Sequence, residues 1–143
     1  MQIIEFIDNK LGKILSKTIF SLLVIVFLGL IIRVYFTPWH LPTDSSDSFI
    51  FMIEGLAYSK ADFSVFNYRF LWPVFLSVFF GIFRFDDYFG YMTLVRILSI
   101  TVSLATIPIV YLVSKEFVKE KYALIAAVLF TIESNLVENS IFG

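Results

Sequence analysis

Apolar residues along this chain gather into four long runs separated by charged or turn-forming segments. The first, TIFSLLVIVFLGLIIRVYF from Thr18 to Phe36, has 19 residues and a single interruption at Arg33. As a helix it is long enough to cross a hydrocarbon core of ~30 Å. Ahead of it, Ile4, Ile7, Leu11 and Ile14 recur at helical spacing and predict an amphipathic helix over residues 3–15, lying on a membrane surface. The second run, FLWPVFLSVFFGIF from Phe70 to Phe83, has only 14 residues and contains Pro73 and Gly81, which is short for a span. Tyr91 to Val113 is long enough, and Tyr122 to Val137 is borderline because Glu133 sits inside it.

Lysines decide which of these runs cross. Lys10, Lys13 and Lys17 precede the first, and Lys115, Lys119 and Lys121 lie between the third and fourth. Residues 37–89 hold six acids (Asp44, Asp47, Glu54, Asp62, Asp86, Asp87) against three bases (Lys60, Arg69, Arg84). Basic loops stay on the cytoplasmic side, so both lysine-bearing segments belong on one face and an even number of crossings separates them. The short run Phe70–Phe83 is therefore expected to lie interfacial or re-entrant. The basic flank resembles that of a signal peptide, but the first apolar run exceeds a signal-peptide core and lacks a small-x-small cleavage site, so it reads as a retained span.

The expected fold is all-α and integral to the membrane, with about three transmembrane helices plus amphipathic surface helices in the first outer loop. In order, the chain reads as a cytoplasmic amphipathic segment at 1–17 and transmembrane helix 1 at 18–36. An outer loop with surface helices and an interfacial apolar segment follows at 37–90, then transmembrane helix 2 at 91–113. A cytoplasmic loop at 114–121, transmembrane helix 3 at 122–137 and a truncated outer end at 138–143 complete it. That is a multi-pass protein of the cell membrane with a cytoplasmic N-terminus.

Composition agrees: 59% of the residues are hydrophobic, which marks an integral membrane protein. A net charge of −1 suggests no nucleic-acid partner. The absence of cysteine excludes a disulfide framework and a Cys nucleophile, and a single histidine excludes a histidine-rich metal site.

Candidate chemistry concentrates just after the first span, in Pro38-Trp39-His40-Leu41-Pro42-Thr43-Asp44-Ser45-Ser46-Asp47. Asp44 can serve as a helix cap or as a general base, and Asp47 as a charge favourable to a helix N-terminus. On the helix that follows, Phe49, Met52, Ile53 and Leu56 share one face. Asp47, Phe51, Glu54 and Tyr58 share another, expected to be solvated or to line a cavity. Arg33 is expected to snorkel to headgroups, and His40 to sit among them beside Trp39. Arg96, about 8 Å inside its span at 1.5 Å per residue, is expected to face a polar cavity or a phosphate.

The order of several short motifs carries a resemblance. A first span ending in Arg is followed by Pro42-Thr43-Asp44, Phe49 and Phe51, Glu54-Gly55, Ala61-Asp62-Phe63 and Asn67-Tyr68-Arg69-Phe70-Leu71-Trp72-Pro73. Leu94-Val95-Arg96-Ile97-Leu98-Ser99, Val110-Tyr111-Leu112-Val113-Ser114-Lys115-Glu116-Phe117 and Glu138-Asn139-Ser140 complete the series. Over about residues 20–143 the chain resembles the N-terminal part of the GT-C membrane glycosyltransferases. These include the protein O-mannosyltransferases, aminoarabinose transferases and oligosaccharyltransferase catalytic subunits. Two positions depart from the family pattern: Ser48, where Tyr is usual, and Ser134, where the third span commonly ends at Pro.

The resemblance implies transfer of a sugar from a polyprenyl-phosphate donor to a hydroxyl or amide of a protein, glycan or lipid acceptor at the outer face. It implies Asp44 as catalytic base, with Asp47 the alternative, and Arg69 and Arg96 as ligands of the donor phosphate. Some members use a divalent cation, which Asp44 and Asp47 could ligate. Members carry many more spans, so an N-terminal portion inactive by itself is implied. Two other classes remain open: a small non-catalytic multispan accessory protein in which Asp44 is only a cap, and a transporter fragment using Arg96 and Glu133.

Overall fold

Helix ends in this chain follow from residues that can be named. The computed structural model describes residues 2–41, 46–64 and 71–142, and side-chain surroundings for 17–41, 47–64 and 71–141. All regular structure among the described residues is helical: α1 Gln2–Phe36, α2 Ser46–Ser59, α3 Leu71–Ile82, α4 Tyr88–Phe117, α5 Glu120–Ile132 and α6 Ser134–Phe142. No break separates residues 3–15 from the first apolar run, and α1 is a single helix of 35 residues. It stops at Phe36 because Thr37 precedes Pro38, whose ring disfavours a helical residue before it.

The end of α2 is closed by a Schellman arrangement. Asp62 N donates to Ala57 O at 3.0 Å and Ala61 N to Tyr58 O at 3.0 Å, with Ala61 at φ 59° in the left-handed region usually given to glycine. The chain then folds back so that the Phe63 ring stacks on Tyr58, centroids 5.5 Å apart. Asp62 accepts from Ser64 N at 3.0 Å, and hydrogen bonding from Ser64 holds its carboxyl below the usual carboxylate range. The start of α4 is capped by Asp87, whose Oδ1 accepts from Gly90 N at 2.9 Å. Gly90 is needed there, since a Cβ would meet the Phe85 ring at 2.6 Å.

Two helices, Lys17–Phe36 and Tyr88–Phe117, are long and apolar enough to cross a membrane. A third crossing is available if α5 and α6 form one bent span. Their surfaces suit lipid: Phe20, Leu23, Ile109, Leu112 and Leu129 are all more than half exposed. At 12 residues, α3 spans only ~18 Å and is too short to cross.

The fourth apolar run departs from the single helix expected over 122–137. It breaks at Glu133, and α5 and α6 meet at a bend of 52°. Glu133 adopts φ −62°, ψ 123°, and its own carboxylate caps the helix that follows: Oε2 accepts from Leu136 N at 2.7 Å and Oε1 from Asn135 Nδ2 at 3.1 Å. A side chain that can satisfy the first amides of a new helix makes the break inexpensive.

The chain divides into two units, Met1–Tyr35 with Ser103–Val137, and Phe36–Val102 with Glu138–Gly143. In the first, Ile25, Ile107, Tyr111, Ala123 and Ala127 form the core. Gly29 is the point of closest approach, its α-carbon facing Thr131, Ile107 and Leu104 so closely that a Cβ would lie 3.0–3.2 Å from them. Small residues at such places let helices approach without a hydrophobic drive from water. In the second unit, Met52, Leu76, Phe80, Met92, Val95 and Leu98 join α2, α3 and the beginning of α4. A Cβ at Gly55 would lie 3.1–3.3 Å from Leu76, Phe80 and the Pro73 carbonyl.

Candidate functional site

Arg96 anchors the approach to the acidic turn. It lies on α4 in the second unit with 1% of its surface exposed. Nη1 donates to Pro38 O and Nη2 to Leu41 O, each at 2.9 Å. These are the first and last carbonyls of a turn closed by Leu41 N donating to Pro38 O at 3.1 Å. One planar guanidinium thereby fixes the four residues that lead into Pro42-Thr43-Asp44. Its Nε has no hydrogen-bond partner.

Asp47 stands in the first turn of α2 and is exposed, where its charge favours the helix dipole. Asp44 and Arg69 lie outside the described residues, so of the four sequence candidates the structure places Asp47 and Arg96. The Arg96 guanidinium is occupied by backbone carbonyls rather than presented to solvent. His40, in the anchored turn, is exposed. Among the described residues no three His, Cys, Asp or Glu side chains come together to hold a metal ion.

The face of α2 that carries Glu54 and Tyr58 is not solvated. Glu54 is 5% and Tyr58 7% exposed, and Glu54 Oε2 and the Tyr58 hydroxyl have no hydrogen-bond partner. Phe49 and Ile53, expected with Met52 on a single face, are exposed while Met52 is buried. α2 packs closely on α3 at Gly55, where a Cβ would lie 3.1–3.3 Å from Leu76, Phe80 and the Pro73 carbonyl, and Tyr58 is stacked on Phe63. A glycine in the middle of an apolar helix was the available signal.

Arg33, in the first unit, is also not where sequence reasoning puts it. It is fully buried rather than at headgroup level. Nε and Nη2 donate to Ser103 Oγ at 3.1 and 2.9 Å, and Nη1 to the carbonyls of Gly29 at 3.2 Å and Thr131 at 3.4 Å. The Thr131 carbonyl belongs to the last turn of α5, where backbone acceptors lose their helical donors. A cation there satisfies one of them and meets the negative end of the helix dipole. The break at Glu133 thus creates the acceptor that holds Arg33 inside.

Contacts within this unit order its helices. Along α1, Gly29 faces Ile107 and Leu104 and Arg33, one turn later, reaches Ser103, so the two segments run antiparallel. Thr18 donates to Glu120 Oε1, and Arg33 reaches Thr131 O, so α1 and α5 run parallel. Lys17, Lys115 and Lys121 consequently share one end of the unit.

Comparison with protein-family models, curated proteins and solved structures gives no match. The described residues show a turn at Pro38–Leu41 held by the buried Arg96 guanidinium, and the exposed carboxylate of Asp47 in the first turn of α2. Such a carboxylate can take a proton from a hydroxyl brought within hydrogen-bond reach.

Proposed function

We propose that this chain carries the acid-bearing outer loop of a membrane glycosyltransferase that uses a polyprenyl-phosphate-linked sugar. The observation that carries the reading is the hold of Arg96 on the Pro38 and Leu41 carbonyls. A base acts efficiently only when held near its attack geometry, and a buried cation spent on loop backbone is a costly device for a loop with no task.

In the proposed reaction Asp44 removes the proton of an acceptor hydroxyl as its oxygen attacks the anomeric carbon. The bond from that carbon to the phosphate oxygen breaks, and the lipid phosphate leaves with the electron pair. Asp47 is the alternative base. Arg69 is proposed to meet the developing phosphate charge, since a guanidinium can bridge two phosphate oxygens. Arg96 shares that task only by releasing its carbonyls, and its proposed role is first to position the turn. A divalent cation, where one is used, would be ligated by Asp44 and Asp47 and would add positive charge beside the leaving phosphate.

The proposed setting is the cell membrane, with the lysine-bearing end of the first unit cytoplasmic and the acidic loop outside. The shared end of Lys17, Lys115 and Lys121 supports that orientation. Membranes containing the chain in its native gene setting, incubated with radiolabelled polyprenyl-phosphate sugars, test the function. Transfer of label should fall about 10²- to 10⁴-fold in Asp44→Asn, the range for losing a general base. Undiminished transfer would overturn Asp44 as base, and no transfer from any such donor by membranes carrying the unaltered gene in that native setting would overturn the reading. The second reading, a non-catalytic multispan protein, draws on Arg33, whose partners named above are all structural, and expects Asp44→Asn to be silent.

A further inference from the structure

We infer that the lysine-bearing end of the first unit holds an anionic glycerophospholipid with a hydroxylated headgroup, of the phosphatidylglycerol type. A cavity of about 360 Å³ opens between α1 and α5, lined by Lys17, Thr18, Ser21, Glu120, Lys121 and Leu124. Its polar rim is mixed in a specific way. Lys17 and Lys121 are exposed and supply two ammonium groups, while Glu120 supplies one carboxylate that already accepts from Thr18. The Lys121 ammonium rests over the Tyr122 ring, 4.8 Å from its centroid. Ser21 donates its hydroxyl proton to the Lys17 carbonyl, at 3.0 Å, and keeps its lone pairs for an incoming donor.

A phosphodiester matches the two lysines, and headgroup hydroxyls match the acceptors Glu120 and Ser21. The net single positive charge of the rim equals the charge of one phosphodiester. A phosphomonoester dianion without hydroxyls would meet the Glu120 carboxylate unfavourably. The walls beyond the rim suit an acyl chain, since one or two turns further along the same faces Val24, Leu28 and Val128 are 41%, 50% and 41% exposed. The cavity also lies where a headgroup would be, at the Lys17 end of the candidate span Lys17–Phe36 within α1. This site does not depend on the glycosyltransferase reading, only on insertion of α1 and α5 in a bilayer.

The test is lipid retention by the full chain purified in detergent, read by native mass spectrometry with phosphatidylglycerol, phosphatidic acid, phosphatidylcholine or inorganic phosphate added. Phosphatidylglycerol should be retained in preference to the other two lipids, and inorganic phosphate should not displace it. Lys17→Gln with Lys121→Gln should weaken retention about fivefold per lysine. Lys115→Gln with Lys119→Gln, at the same end but outside the cavity, should leave it within about twofold. Thermal unfolding of both double variants without lipid checks that each is folded. Equal retention of phosphatidylcholine, displacement by phosphate, or equal loss in the two double variants would each overturn the site.

Discussion

Two arginines inside apolar helices have found different partners, and each reaches groups far away in sequence. Arg33 reaches Ser103 and Thr131, and Arg96 reaches Pro38 and Leu41. That is why the positions of these charges were legible while their contacts were not: a charge in a membrane helix announces a polar partner, but any of several helices could supply it. Glu54 makes the same point from the other side, since it is buried where a solvated face was expected for it. For Arg96 the consequence is measurable. Arg96→Met leaves two carbonyls without their charged donors, each such bond contributing ~1.5–3 kcal/mol. The Leu41 amide, which closes the anchored turn by donating to Pro38 O, should then exchange with solvent at least about tenfold faster by hydrogen-exchange mass spectrometry. Unchanged exchange would mean that the guanidinium does not hold the turn.

Helices were more legible than their ends. The long runs at Lys17–Phe36 and Tyr88–Phe117 follow from hydrophobic length alone, and the shortness of Phe70–Phe83 matches the 12-residue α3. The break at Glu133 did not follow, because an acid inside an apolar run reads equally as a tolerated charge or as the cap of a new helix. Its carboxylate bonds to Leu136 and Asn135 decide for the cap. Packing between elements in the first unit depends on Gly29, which was read only as part of an apolar run. Gly29→Leu should force α1 away from Thr131, Ile107 and Leu104 and cost about 1–3 kcal/mol, read as a lower unfolding temperature in detergent. A variant as stable as the parent would show that the close approach is not required.

At the scale of the whole molecule, the proposed function depends on sidedness. Charge asymmetry suggested the lysines on one face and the acids on the other, and contacts in the first unit bring Lys17, Lys115 and Lys121 to one end. The proposed reaction inherits this, because its base can meet a lipid-linked sugar at the outer face only if residues 37–87 are there. The chain has no cysteine, which makes it well suited to labelling at introduced thiols. Single substitutions His40→Cys, Asp47→Cys, Lys115→Cys and Lys119→Cys, treated in intact cells with a membrane-impermeant maleimide, test the arrangement most directly. His40→Cys and Asp47→Cys should label at once, and Lys115→Cys and Lys119→Cys only after the membrane is permeabilised. Labelling of all four from the same side would contradict the account.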